Sequence, residues 1–105
     1  MSGTIVFADK TDWSVSSGIF NWVIEFLVDT VNEEPSRDTL QLIVEQNFGW
    51  LNFADLSDEG RREVLALLSR KVVPHAEEHF PHSPYRDGAL KVIRELGDMA
   101  KAATV

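Results

Sequence analysis

Between Ile19 and Val31 the chain carries nine apolar side chains, broken at a regular step by Asn21, Glu25 and Asp29. At about 100° per residue those three polar residues fall on one narrow stripe of a helix. Ile19, Phe20, Trp22, Val23, Ile24, Phe26, Leu27, Val28 and Val31 then cover most of the remaining circumference. A helix apolar over so wide an arc has to be surrounded by protein. Segment 16–32 is therefore expected to be the central helix, capped by Ser16 or Ser17, with Phe20, Trp22, Val23, Phe26 and Leu27 buried. The same polar stripe keeps the segment from spanning a bilayer, which takes about 20 predominantly apolar residues.

Three further helices are readable around it. Pro35 and Ser36 open the second, Asp38 suits its first turn, Leu40, Ile43, Val44 and Phe48 form its seam, and Gly49 stops it. Ser57 caps the third, Asp58 and Glu59 fill its first turn, Val64, Leu65, Leu68 and Val72 face inward, and Pro74, which lacks an N–H, should kink or restart it. Ser83 caps the fourth, Pro84 takes its first position, and Tyr85, Ala89, Leu90, Val92, Ile93, Leu96 and Met99 lie on its seam. Gly88 and Gly97 each cost that helix about 1 kcal/mol relative to alanine, which either close helix packing explains or nothing does. The β-branched run at residues 4–9 (TIVFAD) predicts a short N-terminal strand or an extended arm. The only segment offering it a partner is 50–56 (WLNFADL). The expected fold is mainly α, a four-helix single domain over residues 1–105, with short connections favouring antiparallel neighbours.

The 105 residues contain no cysteine, which removes disulfides, thiolate metal sites and cysteine nucleophiles together. The first residues lack the basic and apolar regions of a signal peptide, so a cytoplasmic protein is expected. Net charge is −7 and unevenly spread. Residues 1–59 hold 11 carboxylates against Lys10 and Arg37, giving −9, while residues 60–105 come to +2. An acidic half repels phosphate, so no nucleic-acid partner is expected; Arg61, Arg62, Arg70 and Lys71 form no continuous stripe.

Every histidine lies in one stretch, VVPHAEEHFPHSPY, where His75, Glu78 and His79 spell H-x-x-E-H. Two histidines one helical turn apart leave the same face and suit a shared metal. The spacing resembles that of inverzincin peptidases, which would make His75 and His79 ligands and Glu78 the general base. Only 26 residues follow His79, enough for one helix and too few for a peptidase body. The expectation is no catalysis, no cofactor and no metal, with His75, His79 and Asp87 the residues a metal would have to use. No glycine-rich phosphate loop occurs, and neighbouring carboxylate pairs such as Asp58–Glu59 point along different headings of a helix.

The aromatic residues are what remains. Trp13, Trp50, Phe53 and Phe80 stand outside the cleanest seams, either as plugs for the ends of the bundle or as contacts. In segment 48–60 (FGWLNFADLSDEG), Trp50 and Phe53 lie among Asp55, Asp58 and Glu59. Aromatic anchors beside carboxylates suit a surface that binds a basic protein. The expected function is a small acidic protein-interaction domain, similar in size and charge to bacterial immunity proteins and antitoxin-like inhibitors. The alternatives are a homodimeric structural or regulatory helical module and a metal-binding protein using His75 and His79.

Overall fold

The computed structural model describes residues 2–103 as five α-helices and a three-stranded sheet. The chain is mainly helical, as its periodicity predicts. It has one helix more than expected, and a hairpin strand that was not foreseen.

β1 (Ser2–Val6) and β2 (Asp12–Ser16) form an antiparallel hairpin, with Thr4 opposite Ser14 and Ile5 opposite Trp13. The loop closes tightly: the Lys10 N–H donates to the Phe7 carbonyl and the Phe7 N–H to the Thr11 carbonyl, each at 2.9 Å. Lys10 adopts φ 71°, the left-handed residue that follows the turn in short hairpin loops. Asp9 accepts from the Thr11 hydroxyl at 2.6 Å and the Thr11 N–H at 3.1 Å, which holds its carboxyl below the ordinary aspartate range. β3 (Trp50–Asn52) pairs in parallel with the other side of β1, so the strand order is β2-β1-β3 and β3 is an edge.

α1 (Ser17–Thr30) packs on β1 and β2. Ser16 caps it, its Oγ accepting from the Ile19 N–H. Gly3 lets the sheet approach, since a Cβ there would stand 2.2 Å from Cγ of Phe20. Phe20, Val23, Ile24, Phe26 and Leu27 are buried as expected, but Trp22 is only half-buried. α2 (Glu34–Gln46) lies against α1 and is capped by Glu33, whose carboxylate accepts from the Ser36 N–H at 2.9 Å. It ends at Asn47, where φ 53° and ψ 45° turn the chain left-handed. That turn takes Phe48 off the expected seam and leaves it 57% exposed.

α3 (Asp58–Arg70) begins at Ser57, whose Oγ accepts from the Gly60 N–H at 3.0 Å. It stops at Lys71, and α4 (Val72–His79) follows at once. Pro74 explains the break. It has no N–H to give, and its ring clashes with the carbonyl four residues earlier, that of Arg70, so one helix cannot run through. Restarting at Val72 places Pro74 in a first turn, where no donor is required. α5 (Arg86–Ala103) packs on α3 and α4 and buries Leu90, Ile93, Leu96, Gly97 and Ala100. It starts later than Ser83 and Pro84 suggest. The Ser83 hydroxyl accepts from the Tyr85 N–H at 3.3 Å in a turn, and Tyr85 stands off the seam, 83% exposed. Trp13 ties the sheet to this helix, its indole N–H donating to the Val92 carbonyl at 2.9 Å. One hydrophobic cluster draws on residues from Ile5 to Ala100.

Candidate functional site

The segment singled out for binding folds as β3, a single 3-10 turn (Phe53–Asp55) and the start of α3. Alternation along β3 sends Leu51 inward and Trp50 outward. Trp50 is 49% exposed and sits in register with Thr4, which itself bonds across the outer face to Ser14 (Oγ1 to Oγ, 2.9 Å). Phe53 behaves in the opposite way. The Asn52 side chain accepts from the Ala54 N–H at 2.9 Å, and Phe53 is fully buried with its ring centroid 5.0 Å from that of Phe7. Phe53 is a core residue, and the expected contact set loses it because, three positions after Trp50 along extended chain, it falls on the inward side with Leu51.

Asp55, Asp58 and Glu59 are all exposed. Asp58 is engaged by Arg61 one turn along α3, whereas Asp55 and Glu59 form no ion pair among the described residues. Two further large apolar side chains are exposed: Phe48, just before the strand, and Leu42, in the second half of α2, so three of the four large exposed apolar side chains among the described residues lie between positions 42 and 50 in the sequence. A signal for Phe48 existed in Asn47 and Gly49: both residue types favour left-handed backbone, and both adopt it here.

The histidines are placed differently. The His75 ring lies between α1 and its own helix, with centroids 4.8 Å from Phe26, 5.6 Å from Trp22 and 4.2 Å from His79. Burial among these rings lowers its pKa from the ordinary histidine value, and His79 adds to the effect, against the opposing pull of Glu78 and Asp29. The two imidazoles meet ring against ring at 40°. No group of three or more His, Asp or Glu among the described residues is placed to hold a metal, so Asp87 does not join His75 and His79 in one. No helix among the described residues is long and apolar enough to cross a membrane.

Beside the histidines, Trp22 meets Phe80 edge-on at 4.6 Å and Phe26 nearly parallel at 6.2 Å. This aromatic wall borders a groove of about 370 Å³ between α1 and the connection from α4 to α5. Comparison with protein-family models, curated proteins and solved structures found no match.

Proposed function

We propose that this chain is a protein-binding domain that docks a basic partner through the edge formed by β3 and the end of α2, acting by occlusion as small acidic inhibitors do. The observation that carries this reading is Trp50. It is a half-exposed indole on an edge strand, with Phe48 exposed two residues before it and unpaired Asp55 and Glu59 just after it. Exposed aromatics of this kind make the anchors of interfaces, and the surrounding carboxylates speed encounter with a cationic surface. The −9 carried by residues 1–59 extends that attraction beyond the contact itself.

A second copy of the chain suits this edge less well. A two-fold contact sets a patch against itself, which would bring Asp55, Asp58 and Glu59 of one copy toward those of the other.

Affinity capture from the native cell tests the proposal, with wild-type, Trp50→Ala and Glu59→Lys chains immobilised in parallel. Wild-type should retain a protein of high isoelectric point and release it near 1 M salt, where charges are screened beyond about 3 Å. Both variants should retain much less while keeping the wild-type circular dichroism spectrum. An acidic partner, or equal retention by a folded Trp50→Ala chain, would overturn the reading.

A further inference from the structure

We propose that the groove between α1 and the α4–α5 connection is a second binding site, separate from the Trp50 edge, that takes a small planar aromatic monoanion. Its size is right for a ligand, at about 370 Å³ against the roughly 300–1,000 Å³ typical of small-molecule sites. Ile19 and Trp22 from α1 and Phe80 and Pro81 from the connection form one continuous apolar floor, Trp22 meeting Phe80 directly, and Tyr85 stands exposed at its rim. Trp22 is fixed before any ligand arrives, wedged edge-on against Phe80 at 4.6 Å and parallel to Phe26 at 6.2 Å. An aromatic floor already fixed in this way suits a flat ring, which packs on it at little entropic cost.

The charge of the ligand follows from the polar lining. The chain has 17 carboxylates, yet none lines this groove. Its polar side chains are His79, Ser83 and Arg86, all able to donate hydrogen bonds. Arg86 is held in place by the end of α4: its Nη2 donates to the Glu77 carbonyl at 2.8 Å and its Nη1 to the Phe80 carbonyl at 3.5 Å. Those carbonyls orient the guanidinium and leave its full positive charge at the groove. The nearby acidic side chains act elsewhere, with Glu77 paired to Arg94 at 3.2 Å and Glu78 and Asp87 outside the lining. In a molecule of net charge −7, an apolar slot with a fixed cation and no anion selects a carboxylate or sulfonate on an aromatic body.

Gly18 supplies a clean test, because it lines the groove and a Cβ built there meets nothing within 4 Å. Gly18→Leu should fill the slot without disturbing the core. The experiment titrates 2-naphthoate, 2-naphthamide and 2-naphthylmethylammonium into the full ¹⁵N-labelled chain at low ionic strength, following amide and indole shifts. The expected order is naphthoate first, about tenfold tighter than the amide, a step of about 1.4 kcal/mol, and the ammonium weakest. Shifts should centre on the Trp22 indole, Ile19 and Ala89. Arg86→Gln should bring naphthoate down to the amide's affinity and leave the amide unchanged, Arg86→Lys should restore most of the difference, and Gly18→Leu should abolish binding of all three at an unchanged or higher melting temperature. Equal affinity across the series, or a preference for the ammonium, would overturn the anion assignment. Shifts confined to other surfaces, binding that survives Gly18→Leu, concentration-dependent line broadening that reports a second copy in the groove, or no binding at millimolar probe would overturn the site. None of these outcomes depends on the Trp50 edge.

Discussion

Trp50 and Phe53 stand three residues apart and have opposite fates, which makes them the sharpest test of the site at the level of single residues. Phe53→Ala should cost about 3–5 kcal/mol in urea denaturation, the range for deleting a large buried aromatic, because its ring is enclosed beside Phe7. Trp50→Ala should change stability by less than about 1 kcal/mol, as surface substitutions usually do, and should act on binding alone. A second residue pair lies where α2 meets α3. A Cβ on Gly60 would stand 1.8 Å from Oγ of Ser36, a side chain that is 1% exposed and whose hydroxyl has no hydrogen-bond partner. Gly60→Ala should therefore cost about 1–3 kcal/mol through overpacking. Ser36→Gly should recover much of that loss in the double variant, a coupling that denaturation of the four chains in a cycle measures directly.

At the scale of elements, α4 and α5 carry the most specific expectations. α4 has eight residues and no side-chain cap bond at its start, so it depends on what it packs against. His75 is part of that packing, set among Trp22, Phe26 and His79, and its pKa is lowered from 6.5. The folded chain thus binds this proton less readily than the unfolded chain does. The stabilisation from neutral His75 is complete above pH 6.5 and is lost as pH falls through 6.5 toward the lower folded value. Denaturation midpoints should fall on that side of neutrality, and His75→Phe should flatten the slope; an unchanged slope would remove His75 as its source. In α5 the two glycines separate. Gly97 is buried, with Val73 Cγ2 at 3.1 Å from the position of an added Cβ, so close helix approach accounts for it. At Gly88 an added Cβ meets nothing within 4 Å. Gly88→Ala should raise stability by about 0.4–1 kcal/mol by restricting the unfolded chain, readable as a higher melting temperature.

For the whole molecule the governing feature is the charge distribution. Exposed carboxylates stand on every helix, but those of α4 and α5 lie among the basic residues that bring residues 60–105 to +2, whereas the hairpin, α1, α2 and the start of α3 belong to the segment that carries −9. Charges of this kind act over a screening length of about 8 Å at physiological ionic strength and chiefly alter encounter. Asp55→Lys and Glu59→Lys should accordingly slow association with a basic partner and weaken its salt dependence, with dissociation nearly unchanged. Trp50→Ala should do the reverse, raising the dissociation rate at a cost of about 2 kcal/mol or more, as a buried anchor does. Stopped-flow association and surface-bound dissociation measure the two separately.

The sequence by itself determined those features that depend on near neighbours along the chain. The polar stripe at four-residue steps specified α1, Ser16 and Ser57 cap their helices by bonds to backbone N–H groups three residues on, and Pro74 ended a helix through its own ring. Tertiary structure decided whatever depends on a distant partner. The segment DWSVS alternates too briefly to announce a strand, and it becomes β2 only because β1 offers it a ladder. Phe48 and Tyr85 continue helical seams on paper, yet a left-handed Asn47 and a turn at Ser83 end or delay those helices and leave both rings in solvent. Of the residues expected at a contact, Trp50, Asp55, Asp58 and Glu59 are exposed and Phe53 is buried, while Leu42 and Phe48 are exposed as well. Burial reflects which faces meet across the fold, and a pattern read along the chain gives a side chain's heading only while its helix or strand lasts.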